Sequence, residues 1–396
     1  MTGGHPITAA ALANCLGTDS RTVFARAFAG ADAFSAASAY HELPFATMLG
    51  IMPRCEIDVV DCVATRLATV ALASVRQLRP AVRAAVDRWG ARRIAYVFAS
   101  STGGLEETER ALAPDPRLPL SSAGYRYTDH GIDATSAAIA RSLGIGGVCM
   151  AISTACSSSF HALASAIRLI DRGLADAAVV GSADSLCRTT IFGFHSLGLA
   201  SPTATRPFAR DRCGITLGEG SAYVVIERDA EATRRVALAR IAGIGAASDA
   251  FHHTSPHPDG LGGQLCMRQA IDRAGITPND IDCVSAHGTG TRLNDAAEAA
   301  AVRHVFERRV PMTATKSLTG HTLGSAGLTA LILAVESLRR QEIPATLRLE
   351  PADDSLGVAM VDKLTPRRMQ RILVNAFGFG GSNVSVVVSQ PGPGPS

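Results

Sequence analysis

The sequence predicts an α/β fold built around a mostly parallel sheet, in two similar halves. Strand-like apolar runs alternate with runs at helical spacing, which is the pattern of βαβ units. The side chains are 47% apolar but only 5% aromatic, so Ala, Val, Leu and Ile must fill the core. This composition favours close packing of helices on a sheet over a β-sandwich. A length of 396 residues suffices for one large domain or two fused smaller ones.

The first half is predicted to contain four strands and a helix. Within the helix, Phe160, Leu163, Ala164 and Ile167 recur at the spacing of one helical face. Gly173 follows as a plausible C-cap. The strands are predicted at Ile94–Ala99, Val148–Ser153, Ala177–Gly181 and Ala222–Glu227, and the helix at Ser157–Arg172.

The pattern restarts after a polar, charged stretch, Arg228–Arg235. Apolar residues again alternate between strand and helical spacing up to the end of the chain. The strands are predicted at Ala239–Ile244, Asp282–Ala286, Arg371–Val374 and Val384–Val388, and helices at Gln264–Ala274 and around Leu328, Leu331, Ile332 and Val335.

One pair of segments suggests that the two halves are duplicates. The small-residue turn TACSSS leads into the helix at Ser157, and the turn TGHTLGSAG leads into the helix at Ala326. We therefore predict two similar α/β halves packed face to face, residues 1–235 and 236–390. The Pro- and Gly-rich end, residues 391–396, is predicted to be disordered.

Bulk properties exclude several classes of protein. A formal charge of +3, without runs of like charge, argues against nucleic-acid binding. No apolar stretch reaches the length of a membrane span, and the N-terminus lacks the basic start of a signal peptide. The nine cysteines contain no CxxC pair, so we expect neither a disulfide framework nor a metal site. A reducing cytoplasm is the expected compartment.

Cys156 is the strongest candidate nucleophile. It follows a predicted buried strand and immediately precedes a helix, where free backbone N–H groups and the helix dipole favour a thiolate. Small Ser and Ala neighbours keep it accessible. The alternative, a buried structural cysteine, suits most of the other eight. The order strand, nucleophile, helix favours the catalytic interpretation here.

Two histidines lie in polar loops of the second half. His287 follows a predicted strand in SAHGTGTRLND, where Thr289 and Thr291 offer hydroxyls to a ligand and Glu298 enters a helix. An ordinary loop capped by the following Asn or Asp is the alternative.

His321 lies in KSLTGHTLGSAG, five residues after Lys316. Only two of the 38 basic residues are lysines, Lys316 and Lys363. A chain that uses arginine nearly everywhere is expected to keep a lysine where a compact charge is needed. A solvated lysine and a capping histidine are the alternative.

A fourth segment, NAFGFGGSN, alternates Phe377 and Phe379 with glycines ahead of a strand. Glycines allow close approach of the backbone to a ligand, and a backbone N–H here could serve an oxyanion hole. A glycine-rich turn before an edge strand explains the same residues equally well.

Together these motifs resemble the β-ketoacyl synthase family. The similarity runs from CLG near Cys15 to GFGGSN near Asn383 and includes TACSSS, RPFARDRCGITLGEG, SDAFHHTSPHPDG, HGTGTRLND and KSLTGHTLGSAG. The resemblance implies a thiolase-like fold with a layered α-β-α-β-α architecture. It also implies a homodimer, or a heterodimer with a chain-length-factor-like homologue.

The resemblance also implies the roles of the site residues. Cys156 would hold an acyl group taken from an acyl carrier protein, with the backbone N–H groups of Cys156 and Phe379 as oxyanion hole. His287 and His321 would assist decarboxylation of malonyl-carrier protein. Lys316 and Glu298 would pair and position the His321 turn. Thr289 and Thr291 would contact the carrier's phosphopantetheine arm, Phe379 would gate the acyl pocket beside Phe377, and Phe194 would form its wall. No cofactor is required.

Subgroups of the family differ at the site. The Cys-His-His set indicates decarboxylative elongation, since thiolases use a second cysteine and a non-catalytic chain-length factor lacks the nucleophile. The segments FGFHSLGLASPTATRPFARDRCGI and SDAFHHTSPHPDG are similar to synthases of bacterial aryl-polyene pathways; housekeeping fatty-acid elongation is the alternative. The chain departs from the usual family residues at Ala209, Cys213, Ile215 and Ser382.

Overall fold

A computed structural model describes residues 4–40, 42–55, 65–112, 125–234 and 236–391. The strands in these ranges are β1 (His5–Asn14), β2 (Ser35–Ala36), β3 (Met48–Gly50), β4 (Ile94–Ala99), β5 (Cys149–Ile152), β6 (Ala177–Asp184), β7 (Leu217–Gly218), β8 (Gly220–Glu227), β9 (Ala239–Ser248), β10 (Cys283–Ser285), β11 (Pro311–Thr313), β12 (Glu342–Ile343), β13 (Ala359–Met360), β14 (Thr365–Pro366), β15 (Arg371–Gly378) and β16 (Ser382–Ser389).

Helices alternate with these strands. They are α1 (Ser20–Phe28), α2 (Arg66–Trp89), α3 (Leu105–Leu112), α4 (Ile132–Ser142), α5 (Ser158–Asp171), α6 (Arg188–Ser196), α7 (Glu231–Arg234), α8 (Leu261–Arg273), α9 (Arg292–Val305), α10 (Lys316–Thr319) and α11 (Ala326–Arg340).

The large sheet is a duplication. Its strand order is β13-β11-β10-β15-β16-β9-β1-β8-β6-β4-β5. In the first half, β1 and β8 pair antiparallel, β8 and β6 antiparallel, and β6–β4–β5 parallel. The second half repeats these relations with β9, β16, β15, β10 and β11. The prediction of two similar α/β halves is therefore confirmed. The sheet is mixed and not mostly parallel as predicted, because its central strands pair antiparallel and parallel pairs occur toward its two ends.

The two halves are stacked on each other, and their half-sheets are also joined by hydrogen bonds between β1 and β9. Residues His5–Ile7 of β1 pair antiparallel with Ala239–Ile241 of β9, so the two half-sheets form one sheet. The strand β1 at this junction was not among the predicted strands. Its sequence HPITAAALAN is dominated by small residues, which carry little strand periodicity.

Three cores separate the layers. The central core contains Phe160 and Leu163 from α5, Leu328 and Leu331 from α11, and residues of both half-sheets. A second core packs α2 on the outer face of the first half-sheet. A third packs α8 and α9 on the outer face of the second. This is the predicted α-β-α-β-α layering.

Several element bounds follow the predictions closely. The strand Ile94–Ala99 is as predicted, and the helix predicted at Ser157–Arg172 spans Ser158–Asp171. Gly173 ends it with a positive φ of 67°. The long helix α2, which contains Pro80, was not predicted.

Two predictions about the ends of the halves stay open. The boundary after residue 235 remains a prediction, and residue 235 lies outside the described residues, as do 392–396 of the predicted disordered tail.

None of the helices in the described ranges is long and apolar enough to span a bilayer. The same ranges contain no group of three or more His, Cys, Asp or Glu side chains that could hold a metal ion.

Candidate active site

Cys156 lies in a tight turn between β5 and α5. Ala155, the residue before it, has a left-handed φ of 50°, a conformation that costs free energy for a residue with a side chain. The Thr154 N–H donates to Ser158 Oγ at 2.8 Å, which closes the turn against the helix. The turn leaves the Cys156 side chain only 7% exposed.

His321 comes from the equivalent turn of the second half. It follows α10 and Gly320, whose positive φ of 68° redirects the chain. The His321 N–H donates to the Thr216 carbonyl at 2.8 Å, and the Gly218 N–H donates to the His321 carbonyl at 3.0 Å. These bonds to the first half hold His321 Nε2 3.0 Å from Cys156 Sγ.

His287 completes the set at the end of β10. Its ring centre lies 5.5 Å from that of His321, with the rings nearly perpendicular. Glu298 on α9 holds the loop, because its carboxylate accepts the N–H groups of His287 at 2.7 Å and Gly288 at 2.8 Å. Asn375 donates a third hydrogen bond to Glu298 at 2.9 Å. Sequence reasoning did not identify Asn375.

Lys316 lies behind His287 and does not pair with Glu298 directly. Its ammonium donates to the His287 carbonyl oxygen, and Nζ lies 3.1 Å from His287 Nδ1. No ion pair within 4.0 Å joins Lys316 to Glu298 in the described part of the chain. The predicted pair is therefore not a direct ion pair, although the Glu298 charge acts to raise the pKa of Lys316. Glu298 is occupied by N–H donors on one side of the His287 peptide, and Lys316 binds the opposite side.

Burial sets the protonation of this cluster. Desolvation, followed by the Lys316 charge, holds the pKa values of His287 and His321 well below their usual range. Both imidazoles are therefore neutral at pH 7. Burial also lowers the pKa of Lys316 to about 8, against the raising effect of Glu298 and Cys156, so most of it stays protonated at pH 7.

The thiol differs from the sequence-based expectation of a thiolate. Burial raises the pKa of Cys156 to about 11, although the Lys316 charge and the backbone N–H groups of Phe379 and Cys156 act to lower it. The resting group is thus a thiol. The helix start is present as predicted, but desolvation of the anion outweighs its effect.

The backbone N–H groups of Phe379 and of Cys156 itself lie close enough to the Cys156 sulfur to act against the rise in the pKa of its thiol. Phe379 begins the short turn between β15 and β16. Gly378 permits the approach, because a Cβ there would lie 3.2 Å from the Ser157 N and Oγ atoms. The structure thus brings the two predicted oxyanion donors to the predicted nucleophile, Cys156.

A cavity of about 420 Å³ opens onto Cys156. Its wall contains every predicted site residue except Lys316 and Glu298, which lie behind His287. The Phe194 and Phe379 rings stack at 5.5 Å, and Phe377 lies 5.8 Å from His287. The predicted residues in the wall are Cys156, His287, His321, Thr289, Thr291, Phe194, Phe377 and Phe379.

The two threonines also have structural roles. Thr289 Oγ1 and Thr291 Oγ1 lie 3.0 Å apart, and Thr291 caps α9 by accepting the Asn294 N–H at 3.3 Å. The cap is therefore Thr291 and not the Asn or Asp that follow it. Asp295 instead accepts buried N–H groups, among them that of Thr289 at 3.1 Å.

One segment that lines the cavity had no functional role in the prediction from the sequence. His252, His253 and Thr254 line the cavity mouth. Their loop also holds the Phe379 turn, because Gly380 N–H donates to the His253 carbonyl at 2.7 Å. The motif SDAFHHTSPHPDG entered the resemblance without a role, and its run of histidines was the available signal.

Comparison with known proteins agrees with this geometry. The chain matches the description "Beta-ketoacyl synthase, N-terminal domain" over residues 46–232 and "Beta-ketoacyl synthase, C-terminal domain" over residues 238–350. A similar protein is the 3-oxoacyl-[acyl-carrier-protein] synthase 2 of Vibrio cholerae serotype O1, 36% identical over 322 residues that cover 76% of this chain and 77% of that protein. Nodulation protein E of Rhizobium meliloti is 30% identical over 82% of both chains.

Solved structures share the whole fold. A chain from the complex of the ketosynthase ApeO with its chain length factor ApeC, from Xenorhabdus doucetiae, superposes with a TM-score of 0.89 at 33% identity and covers 98% of both chains. The ishigamide ketosynthase/chain length factor superposes with a TM-score of 0.90 at 26% identity, over 98% of this chain and 100% of that one. On the sequence match to both domains and to these relatives, the chain belongs to the β-ketoacyl synthase family.

Proposed function

We propose that this β-ketoacyl-acyl carrier protein synthase works through Cys156, His287 and His321 in a decarboxylative Claisen condensation. One observation supports this assignment above the others: Cys156 Sγ lies 3.0 Å from His321 Nε2, at the end of a cavity that also exposes His287. A nucleophile and two neutral hydrogen-bond donors therefore share one buried site.

In the first step the Cys156 thiol attacks the thioester of an acyl carrier protein. The sulfur–acyl bond to the carrier's phosphopantetheine breaks, and the proton leaves with the departing pantetheine thiol. The N–H groups of Cys156 and Phe379 hold the oxyanion of the tetrahedral intermediate. Because the resting group is a thiol, its proton moves during the attack and not before it.

In the second step a malonyl-carrier protein loses its carboxylate as carbon dioxide, and the electron pair passes to an enolate. The enolate oxygen accepts hydrogen bonds from the histidine Nε2–H groups. Lys316 fixes this tautomer for His287, because its ammonium occupies Nδ1. His321 Nδ1 is buried without a partner in the described ranges, and an unpaired lone pair there costs less than an unpaired N–H.

In the third step the enolate carbon attacks the Cys156 thioester. A carbon–carbon bond forms, the Cys156 sulfur leaves, and it regains a proton. Over the three steps the products are a β-ketoacyl thioester on the carrier that delivered the malonyl group, carbon dioxide, and a free thiol on the carrier that delivered the acyl group. The residues need no metal or organic cofactor for this sequence.

Two alternatives are less well supported. A chain-length factor would lack the nucleophile, whereas this chain keeps Cys156 with His287 and His321. A thiolase would need a second cysteine acting at the site. Cys266 and Cys283 do not line the cavity, and burial raises the pKa of each to about 12. Cys213 does line it, but this residue is exposed and its Sγ lies 3.3 Å from Ser201 Oγ.

We propose a dimer formed through β5, in the cytoplasm. Strand β5 is an edge strand of the large sheet. Val148 and Met150, at this edge, are 39% and 37% exposed. Such an open apolar edge invites pairing with a second sheet. The partner is a second copy or a chain-length-factor-like homologue. Sedimentation of the chain alone and with such a homologue decides between them, and a monomer in both would refute the proposal.

For the pathway we propose aryl-polyene synthesis over housekeeping elongation, on the resemblance of FGFHSLGLASPTATRPFARDRCGI and SDAFHHTSPHPDG. We expect aryl-unsaturated acyl carriers to be condensed with malonyl-carrier protein faster than octanoyl or long saturated ones. Single-turnover product formation measured by mass spectrometry tests this. Preference for the saturated chains would favour the housekeeping role.

Cys156→Ala should abolish acylation by acyl-carrier protein, because among the cysteines of the described ranges Cys156 alone has the backbone N–H groups of both proposed oxyanion donors at its sulfur. Intact-protein mass spectrometry with peptide mapping measures it. Cys213→Ser is the matched control, since Cys213 lines the same cavity, and it should still gain one acyl group. Acylation of the Cys156→Ala protein would contradict the assignment.

His321→Ala should retain acylation but lower malonyl decarboxylation by about 10²-fold or more, because the enolate loses one of two preorganised donors. Release of labelled carbon dioxide from malonyl-carrier protein measures the second step. His304→Ala, on the exposed side of α9, should leave both steps unchanged. Undiminished decarboxylation in His321→Ala would refute its role.

Decarboxylation should fall as the pH rises through about 8. Burial lowers the pKa of Lys316 to about 8. Above that pH the ammonium loses its proton, and His287 Nδ1 no longer has a cationic partner. The histidines are neutral throughout this range and contribute no titration of their own. The rate is measured in Cys156→Ala to remove the thiol, and the fall there should lie at or below that pH, because Cys156 acts to raise the pKa of Lys316. In Lys316→Met on that background the rate should be lower and flat across pH 8, and a persisting fall would exclude Lys316 as its source.

A further inference from the structure

The turn that carries the Phe379 N–H is a short hairpin loop. It spans Phe379–Gly381 and is closed by the paired residues Gly378 and Ser382 at the ends of β15 and β16. The position of this closing pair determines where the Phe379 N–H points. An oxyanion donor must lie within a few tenths of an ångström of its acceptor position, so the anchoring of the pair bears on catalysis.

Two side chains of the nucleophile's own helix hold the closing pair. His161 Nε2 lies 2.9 Å from Ser382 Oγ, and Ser157 Oγ lies 3.0 Å from it. Ser157 and His161 are one helical turn apart, joined by a backbone hydrogen bond of 3.1 Å, so they project from the same face of α5. Ser157 is also fixed to the Thr154 carbonyl at 2.9 Å.

The opposite side of the turn is held differently. Gly380 N–H donates to the His253 carbonyl, and Asp249 N–H donates to the Gly381 carbonyl at 2.9 Å. These bonds come from the loop at the cavity mouth, where His252 and His253 are exposed. The Ser382 anchor, in contrast, connects the turn directly to the helix that begins beside Cys156.

We propose that His161 is a positioning residue for acyl transfer, which acts through Ser382 to hold the Phe379 N–H over the Cys156 sulfur. This rests on the proposed function, in which that N–H stabilises the oxyanion. His161 follows Cys156 by five residues yet is not among the residues that line the cavity. Its effect therefore passes through the hydroxyl of Ser382.

The proposal separates two reactions of the same thiol. Transfer of an acyl group passes through an oxyanion and needs the Phe379 N–H, whereas alkylation by iodoacetamide displaces iodide and forms no oxyanion. Loss of the His161–Ser382 contact should therefore slow acylation more than alkylation, which loses only the contribution of the Phe379 N–H to lowering the pKa of the Cys156 thiol. A general disturbance of the Cys156 turn would slow both.

We expect His161→Leu to lower the rate of Cys156 acylation by about 10- to 100-fold. This fall in rate is no larger than the one expected when a direct oxyanion donor is removed. Alkylation should change by less than about threefold. His161→Gln, whose amide can reach Ser382, should recover most of the rate. Ser382→Ala should slow acylation to the same extent, whereas Ser382→Thr should not. The double variant His161→Leu with Ser382→Ala should be acylated no more slowly than either single variant, because both changes break the same contact.

Both reactions are carried out on the full chain and quenched at set times, and intact-protein mass spectrometry gives the two rates. Circular dichroism verifies that each variant is folded. Unchanged acylation in His161→Leu, a parallel fall in alkylation, or additive losses in the double variant would overturn the proposal. If His161→Leu does not fold, the pair Ser382→Ala and Ser382→Thr decides by the same criteria. If the unaltered protein itself is not acylated, the proposed function fails, which is a different result.

Discussion

The close contact between α5 and α11 is the constraint on which the site depends. These equivalent helices of the two halves pack against each other in the central layer, and each begins at the site. Gly327 in the first turn of α11 makes the approach possible, because a Cβ there would lie 2.9 Å from Ser159 Oγ and 3.0 Å from the Phe160 ring. The Ser159 hydroxyl in turn accepts the Leu328 N–H at 3.1 Å. With the helix starts this close, the turns before them meet.

The meeting of the turns has a chemical consequence, since Cys156, His287, Lys316 and His321 are all buried there. In water, a thiol near two histidines and a lysine would be a mixture of protonation states. Here desolvation favours the neutral forms of Cys156, His287 and His321 and leaves Lys316 as the remaining cation. The site is therefore an array of oriented donors, which suits the stabilisation of charge that develops only during reaction.

Parts of the site are supported by both halves at once. His321 is held by backbone bonds to Thr216 and Gly218 of the first half. The Phe379 turn of the second half rests on Ser157 and His161 of the first. Neither half contains a complete site. The antiparallel junction of β1 and β9 makes these cross-contacts part of one continuous structure.

Local patterns in the sequence were sufficient for much of the fold. The alternation of apolar runs predicted Ile94–Ala99 and the α5 helix to within a residue, because these segments carry strong periodicity. The repeated small-residue turns predicted the duplication. They did not predict α2, whose Pro80 interrupts the expected helical pattern, or β1, whose small residues give little periodic signal.

For the site, the sequence by itself determined which side chains are the candidates for the chemistry, since a cysteine at a helix start and two histidines in glycine-rich loops stand out locally. Only the tertiary structure decided their states and partners. Cys156 and His321 are 165 residues apart in the chain, and folding alone brings them to 3.0 Å. Lys316 binds His287 and not Glu298, and the thiol is protonated, because both outcomes depend on burial and on which groups occupy the same small volume. Those quantities arise from long-range packing, which local sequence does not encode.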